Sequence, residues 1–510
     1  MDDGRSVSLD SLNSLKARNS HMSVTAKTSA ASQNNQSAAP GASVSSYPLV
    51  LSDEQFRDLG TEVVKFLSGH LSRLPDKPIK PRHQRKTLPV SPLDTPLENG
   101  SSLSELLEVV RGATETCYNQ TRGGFMAYVP GGGLVTAAIA DLIAAVINPY
   151  TGFSTVAPDM VALEVEILNW FAALVGLPPT AFGILTSGGS LSILSAFLCA
   201  RTAHLPEDFR LGTVYASDQT HFSTEKALRM LGFPHDALRV IPSDPELRMN
   251  LDVLKETIAN DRAAGRKPFC IVANAGTTNT GAIDPLPAMA EIAQQENLWF
   301  HIDAAYGGFF QLTKRGRERL VGIELADSVV LDPHKGLFLP FGTGCLLVRD
   351  RDVLRQAHAI GKQDLLQDLN ETQYPDFADL SPELTRPFRG LRLWLALHLH
   401  GVAAFRNALD EKLDLAQVAY QAILATPNLE AVGSPDLSIF AFRYRVPGGS
   451  SEDHDQATLK LVEQVNATGH TYLSSTQIRK QVFARIAVLG LRTEAEHVAI
   501  AIKAIREFAH

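Results

Sequence analysis

The chain has 510 residues, with 47 Lys and Arg against 55 Asp and Glu, for a net charge of −8. At roughly 150 residues per domain this length allows about three domain-sized units. With 45% hydrophobic and 20% charged residues the composition is globular. The mild acidity argues against nucleic acid or an anionic membrane surface as a partner, since both ask for basic surface.

Residues 1–47 are rich in Ser, Ala, Asn and Gln and poor in large apolar side chains, the composition of a disordered tail. The opening MDDGRSVSLD lacks the basic start and apolar core of a signal peptide. The His21-Met22 pair fits a cloning junction, with the residues before it vector-derived. Residues 48–109 read as a helical segment. Ser52 caps a helix running to about Arg73, with Phe56, Leu59, Val63 and Phe66 on one face. A Pro- and Lys-rich connector and a second short helix near Leu103–Val110 follow. These elements are too few for a core of their own and are expected to pack on the main body or on a partner subunit.

Residues 110–400 alternate helical periodicity with the apolar runs GILTS, GTVYAS, FCIVANAG, LWFHIDAA, SVVLDPH and GCLLVRD. That alternation predicts an α/β domain around a mostly parallel sheet. Residues 401–510 predict a small α+β domain with an antiparallel sheet, carried by LSIFAFRYR, YLSSTQ and QVFARIAVLG. The longest apolar run, Leu134 to Ile147, is interrupted by Asp141 and is too short to span a bilayer. Cys117, Cys199, Cys270 and Cys345 show no paired or metal-ligand spacing, which favours a reducing, cytoplasmic setting.

The polar residues of interest stand at the C-terminal ends of predicted strands, where open α/β sheets place ligands. Thr186-Ser187-Gly188-Gly189-Ser190 runs into an apolar helix, and glycines at a helix start let N–H groups approach a phosphate. A structural turn that needs glycine is the bland alternative. His221 follows the next strand, and Asn274 to Gly281 follows FCIVA; each has an equally plain reading as a satisfied histidine or a hydrogen-bonded turn. Asp303 ends an apolar strand and needs a cationic partner there. Lys335, in DPHKG, sits where burial would make it nucleophilic toward a carbonyl. Together these describe a site for a flat, phosphorylated, carbonyl-bearing cofactor with a basic ring nitrogen. Pyridoxal 5'-phosphate (PLP) has all of those features.

The segments SDQTHFSTEKA, HIDAAYGG, DPHKG and RPFRGLRLWLALHLHGVAAF resemble the PLP-dependent group II amino-acid decarboxylases, from about Tyr47 to the C-terminus. The resemblance implies a fold-type-I (aspartate-aminotransferase-like) large domain with a small C-terminal domain, and a homodimer with sites at the interface. It also implies that Lys335 forms the Schiff base, that Asp303 pairs with the pyridinium nitrogen and that His221 stacks on the ring. Ala305 would pack on the opposite ring face and Thr278 beside the cofactor, with Gly189, Ser190 and His334 on phosphate. Tyr128, Phe153 from the partner chain and Arg485 would approach the substrate. Where many relatives carry Asn this chain has Asp332, which phosphate would repel unless it points away or finds a donor. The loop acid that many relatives use falls by gapless count on Phe377, with Tyr374 three residues earlier.

The resemblance implies decarboxylation of an L-amino acid to amine and carbon dioxide, with Tyr374 as the acid. The segment GGFMAYVPGGG and the Phe153 region are aromatic and small, and offer no cation after Arg122, so an aromatic substrate leads over glutamate or aspartate. In the family it resembles, Phe at the loop position, here Phe377, goes instead with oxidative decarboxylation-deamination to an aldehyde. A metal hydrolase built on His221, His301, Asp303 and His334 lacks any ligand-like spacing and leaves Lys335 without a role.

Overall fold

The structure, a computed structural model, describes residues 49–81, 100–359 and 372–509; the N-terminal tail read from composition lies outside them. The helix Asp53–Arg73 begins at a capping box in which Ser52 and Gln55 satisfy each other's backbone N–H groups. Ser102 and Glu105 start the helix Leu103–Thr114 in the same way. Neither helix has a buried residue.

A seven-stranded sheet forms the larger body: β1 (Phe182–Thr186), β2 (Gly212–Ser217), β3 (Leu238–Ile241), β4 (Lys267–Asn274), β5 (Trp299–Asp303), β6 (Ser328–Leu331) and β7 (Gly344–Val348), in spatial order β1-β7-β6-β5-β4-β2-β3. β1, β2, β6 and β7 are buried along their whole length, which is why they read as unbroken apolar runs rather than alternating ones. The neighbours β3-β2-β4-β5-β6 pair in parallel, and β7 is antiparallel to both β6 and β1. β1 therefore points the same way as β6. The C-terminal ends of β1, β2, β4, β5 and β6 consequently share one edge of the sheet.

The second sheet, β8 (Leu429–Val432), β9 (Ile439–Tyr444), β10 (Ser474–Ile478) and β11 (Gln481–Ala487), is antiparallel in the order β10-β11-β9-β8. The helices Val402–Leu424, Ser451–Ala467 and Ala495–Phe508 build its core with Phe440, Phe442, Leu461 and Ile486. Gly281 joins the two bodies. Its φ of +80° makes the turn after β4, and a β-carbon there would meet the Ile439 carbonyl at 2.5 Å, so the turn lies directly on β9. Among the described residues no helix is long and apolar enough to cross a membrane.

Candidate active site

The shared strand edge opens into a cavity of about 540 Å³ lined by Tyr128, His221, Phe222, Thr278, Asn279, Lys335, Ser475, Thr476 and Arg485, among others. A cavity of similar size, about 550 Å³, lies at the opposite edge beside His204, Asn297, Asp327 and Arg349 and holds none of the predicted site residues.

Lys335 follows β6 in the short helix Pro333–Gly336, and its Nζ is 3.0 Å from Asp332 Oδ2. The same short helix carries His334, whose Nδ1 lies 2.6 Å from the Thr343 carbonyl. Asp303, half-buried at the end of β5, accepts a hydrogen bond of 3.1 Å from the Ala305 N–H. Burial pushes the Asp303 carboxyl above its ordinary value, against the opposing pull of the Lys335 charge and of His221. His221 is held by Ser223, whose N–H donates to Nδ1 at 3.3 Å and whose hydroxyl is 2.7 Å away. Nδ1 is thus the acceptor and Nε2 carries the hydrogen. Burial holds His221 below its ordinary pKa, so the ring is neutral at pH 7, and its centroid is 4.2 Å from that of Phe222.

The small domain contributes more than Arg485. The Thr476 hydroxyl donates to Asn279 Oδ1, and Asn279 Nδ2 donates to Gln219 Oε1 at 2.9 Å. Asn279 therefore ties the β2 and β4 ends to β10. Nothing local in YLSSTQ marked Ser475 and Thr476 as cavity residues, because their place depends on how the two sheets meet. Tyr128 has φ of +54°, a left-handed conformation uncommon outside glycine, and is 59% exposed at the cavity mouth.

Gly189 and Ser190 open the helix Gly189–His204, and an added β-carbon on Gly189 would lie 3.0 Å from Asp332 Oδ2. Three predicted residues stand elsewhere. Phe153 is buried 5.7 Å from the Tyr150 ring. Its neighbour Ser154 donates to the Tyr374 carbonyl, and Tyr374 borders a different cleft with Arg351 and Arg355. Phe377 does not face the cavity. It is fully buried under the Arg386 guanidinium, 4.5 Å from its ring centroid, with Phe182 stacked at 6.3 Å. The gapless count back from RPFR lands on it, but the short helix Phe377–Asp379 turns its ring into the core. The metal alternative also fails to assemble. His301 is buried against Ser328 instead, and among the described residues no group of three or more His, Cys, Asp or Glu is placed to hold a metal ion.

The arrangement fits PLP on its own terms. An acid raised by burial is relieved by a protonated ring nitrogen, a lysine reaches the cavity, and the helix start at Gly189 and Ser190 is of the kind that takes a phosphate. The pyridoxal-dependent decarboxylase conserved domain matches residues 84–445. The chain belongs to this family of PLP-dependent decarboxylases.

It is 34% identical over 466 residues to the aromatic-L-amino-acid decarboxylase of Bacillus atrophaeus, covering 90% of this chain and 97% of that one. To the phenylacetaldehyde synthase of Arabidopsis thaliana it is 29% identical over 478 residues, covering 90% and 96%. The crystal structure of Oryza sativa TDC with PLP and tryptamine superposes with a TM-score of 0.85 at 27% identity, covering 90% of this chain and 98% of that one. The protein is a PLP-dependent carboxy-lyase of fold type I.

Proposed function

We propose that this chain decarboxylates an aromatic L-amino acid to its amine and carbon dioxide, as a cytoplasmic homodimer. The observation that carries the substrate class is the charge of the cavity wall. Its cationic side chains among the described lining residues are Lys335 and Arg485. Arg485 already donates to the carbonyls of Tyr128, Thr278 and Asn279 and to Ser474 Oγ. Arg122 lies outside this lining, donating to the carbonyls of Lys77 and Gly469. On this wall a glutamate or aspartate side chain finds no further cation, whereas Tyr128 and Phe222 offer aromatic surface.

Bound PLP supplies an electron sink for the pair left at Cα when the carboxylate departs. Lys335 would hold the cofactor covalently, and Asp303 would keep the ring nitrogen protonated. Gly189 and Ser190 would hold the phosphate with the His334 ring bordering it, and Thr278 would stand beside the cofactor. The neutral His221 ring gives one flat face and Ala305 the other. Arg485 has one Nη1 hydrogen beyond the four it gives within the protein, a reserve for the substrate α-carboxylate. Tyr374 would return a proton to Cα.

The helix Val135–Ile147 exposes Ile139, Leu142 and Val146 at 50%, 58% and 59%. The unburied helix Asp53–Arg73 adds Phe56, Val64 and Leu67. Apolar faces of this extent support subunit association.

A panel of L-amino acids scored for amine, aldehyde and carbon dioxide tests the reading. Amine with stoichiometric carbon dioxide from tyrosine, tryptophan or phenylalanine is expected. Activity on glutamate but on none of these three would overturn the substrate class, and aldehyde with hydrogen peroxide would overturn the product. Borohydride reduction should abolish the visible absorbance and label Lys335.

A further inference from the structure

Asp332 follows β6 and is 2% exposed, yet its Oδ1 has no hydrogen-bond partner. Its Oδ2 lies 3.0 Å from Lys335 Nζ and 3.7 Å from His334 Nε2. A β-carbon built on Gly189 would approach Oδ2 at 3.0 Å and Oδ1 at 3.4 Å. The carboxylate therefore faces the start of the helix Gly189–His204, where first-turn N–H groups have no intrahelical acceptor. A buried carboxylate oxygen without a hydrogen-bond donor is unfavourable, so this atom is poised for one.

His334 supplies no hydrogen at the same place. The Thr343 carbonyl can only accept, so Nδ1 carries the ring hydrogen. Burial lowers the pKa of His334 from its ordinary value, which leaves Nε2 as a lone pair on a neutral ring. A β-carbon on Gly188 would lie 3.6 Å from His334 Cε1, so this ring borders the glycine turn. The other charged groups acting on this corner are Lys335, Asp303 and His221. Arg392 acts on His334 but is spent on Asp141 and Thr343. Beside a fully ionised phosphate, Asp332 would add negative charge to negative charge. A singly protonated phosphate ester brings the P–O–H that Oδ1 lacks.

We infer that this site takes the PLP phosphate as its monoanion, the P–O–H donating to Asp332 Oδ1 while the N–H groups of Gly189 and Ser190 hold the other oxygens. The inference rests on the reading of the Lys335 cavity as the PLP site. Asp332 is then a cofactor-binding residue that selects a protonation state, where an Asn would accept either.

Phosphorus-31 NMR of the holoenzyme between pH 6 and pH 9 tests it. Free phosphate monoesters lose their second proton near pH 6, and their resonance moves as they do. In the wild type the bound signal is expected to hold the monoanion position to at least about two pH units higher. In Asp332→Asn it should move to the dianion position. A wild-type signal already at the dianion position at pH 8 would overturn the inference, as would an Asp332→Asn signal that stays with the wild type. If the variant does not fold, the wild-type titration decides alone. Absence of borohydride label on Lys335 would instead mark failure of the cofactor reading, which the two phosphorus outcomes do not touch.

Discussion

Arg485 Nη2 lies 3.0 Å from the carbonyl oxygen of Tyr128, so β11 grips the loop that forms the cavity mouth. The same guanidinium donates to Thr278 and Asn279, beyond β4. One side chain thus joins three separate stretches of chain around the site, and at 4% exposure it does so out of water. Burial lowers its pKa to about 10, still well above neutrality. Arg485→Ala would leave three carbonyls without this donor and should destabilise the fold by about 3 kcal/mol. Arg485→Lys keeps the charge without the planar fork and should fall between. Urea midpoints check this; a loss in Arg485→Ala within the scatter of surface substitutions would refute it.

His301 predicts a pH dependence. Its Nδ1 is hydrogen-bonded to the Ser328 hydroxyl at 2.8 Å, and that hydroxyl accepts from Trp299 Nε1. Nε2 is buried without a partner, and burial pushes the pKa from 6.5 down to about 3. The folded value lies below the unfolded one, so the unfolded chain binds more protons at acid pH. The contribution is therefore complete above pH 6.5 and is lost as pH falls toward 3. Between pH 6.5 and pH 5 the loss should be about 2 kcal/mol. In His301→Leu this share of the acid slope should vanish, at a penalty of about 1 kcal/mol near pH 7 for the lost Ser328 hydrogen bond. Equal slopes in the two proteins would sink the assignment.

Six of the seven strands in the large sheet were legible as apolar runs, because buried parallel strands concentrate apolar residues. β3 was not, since Leu238-Arg239-Val240-Ile241 is short and its Arg239 is committed to Asp261. β8 was lost in the same way, with Glu430 in a four-residue strand. Lys335, His221 and Asp303 could be picked out because each stands at a strand end in its own local motif. Ser475, Thr476 and the hub role of Arg485 depend on the contact between two sheets, which no local pattern encodes. Phe377 shows the converse error. Counting residues through a loop assumes a constant length, and the structure buries that ring in the core instead.

That burial yields a prediction about product. Phe377→Tyr would put a hydroxyl into a site with no exposure, next to Phe182 and Arg386. It should lower stability by about 1–3 kcal/mol and leave the ratio of amine to aldehyde unchanged. A shift toward amine, measured on purified variant, would return Phe377 to the reacting atoms.

Glu164 and Arg386 form an ion pair of 2.5 Å with side chains 0% and 1% exposed, and Glu164 also accepts from the Gly390 N–H. Removing one partner leaves a buried charge, so Glu164→Ala should destabilise by about 3–5 kcal/mol. The double replacement Glu164→Leu with Arg386→Met should recover part of that loss. Calorimetric unfolding of the three proteins checks the order; a double variant weaker than Glu164→Ala would contradict it.

Phe153 and Tyr374 share one cluster through Ser154, apart from the Lys335 cavity of the same chain. If the proposed dimer shares its sites, both residues serve the cavity of the other subunit. Lys335→Ala and Tyr374→Phe should then each be inactive for amine formation alone. Unfolded together in equal amounts and refolded, half of the dimers would be mixed, and each mixed dimer holds one site with both Lys335 and Tyr374 intact. About a quarter of wild-type activity should return on this two-fold arrangement. If Lys335 and Tyr374 worked within one chain, no mixed dimer would hold an intact site and the mixture would stay inactive. The recovered fraction therefore reads out, without a structure of the dimer, which subunit supplies the proton.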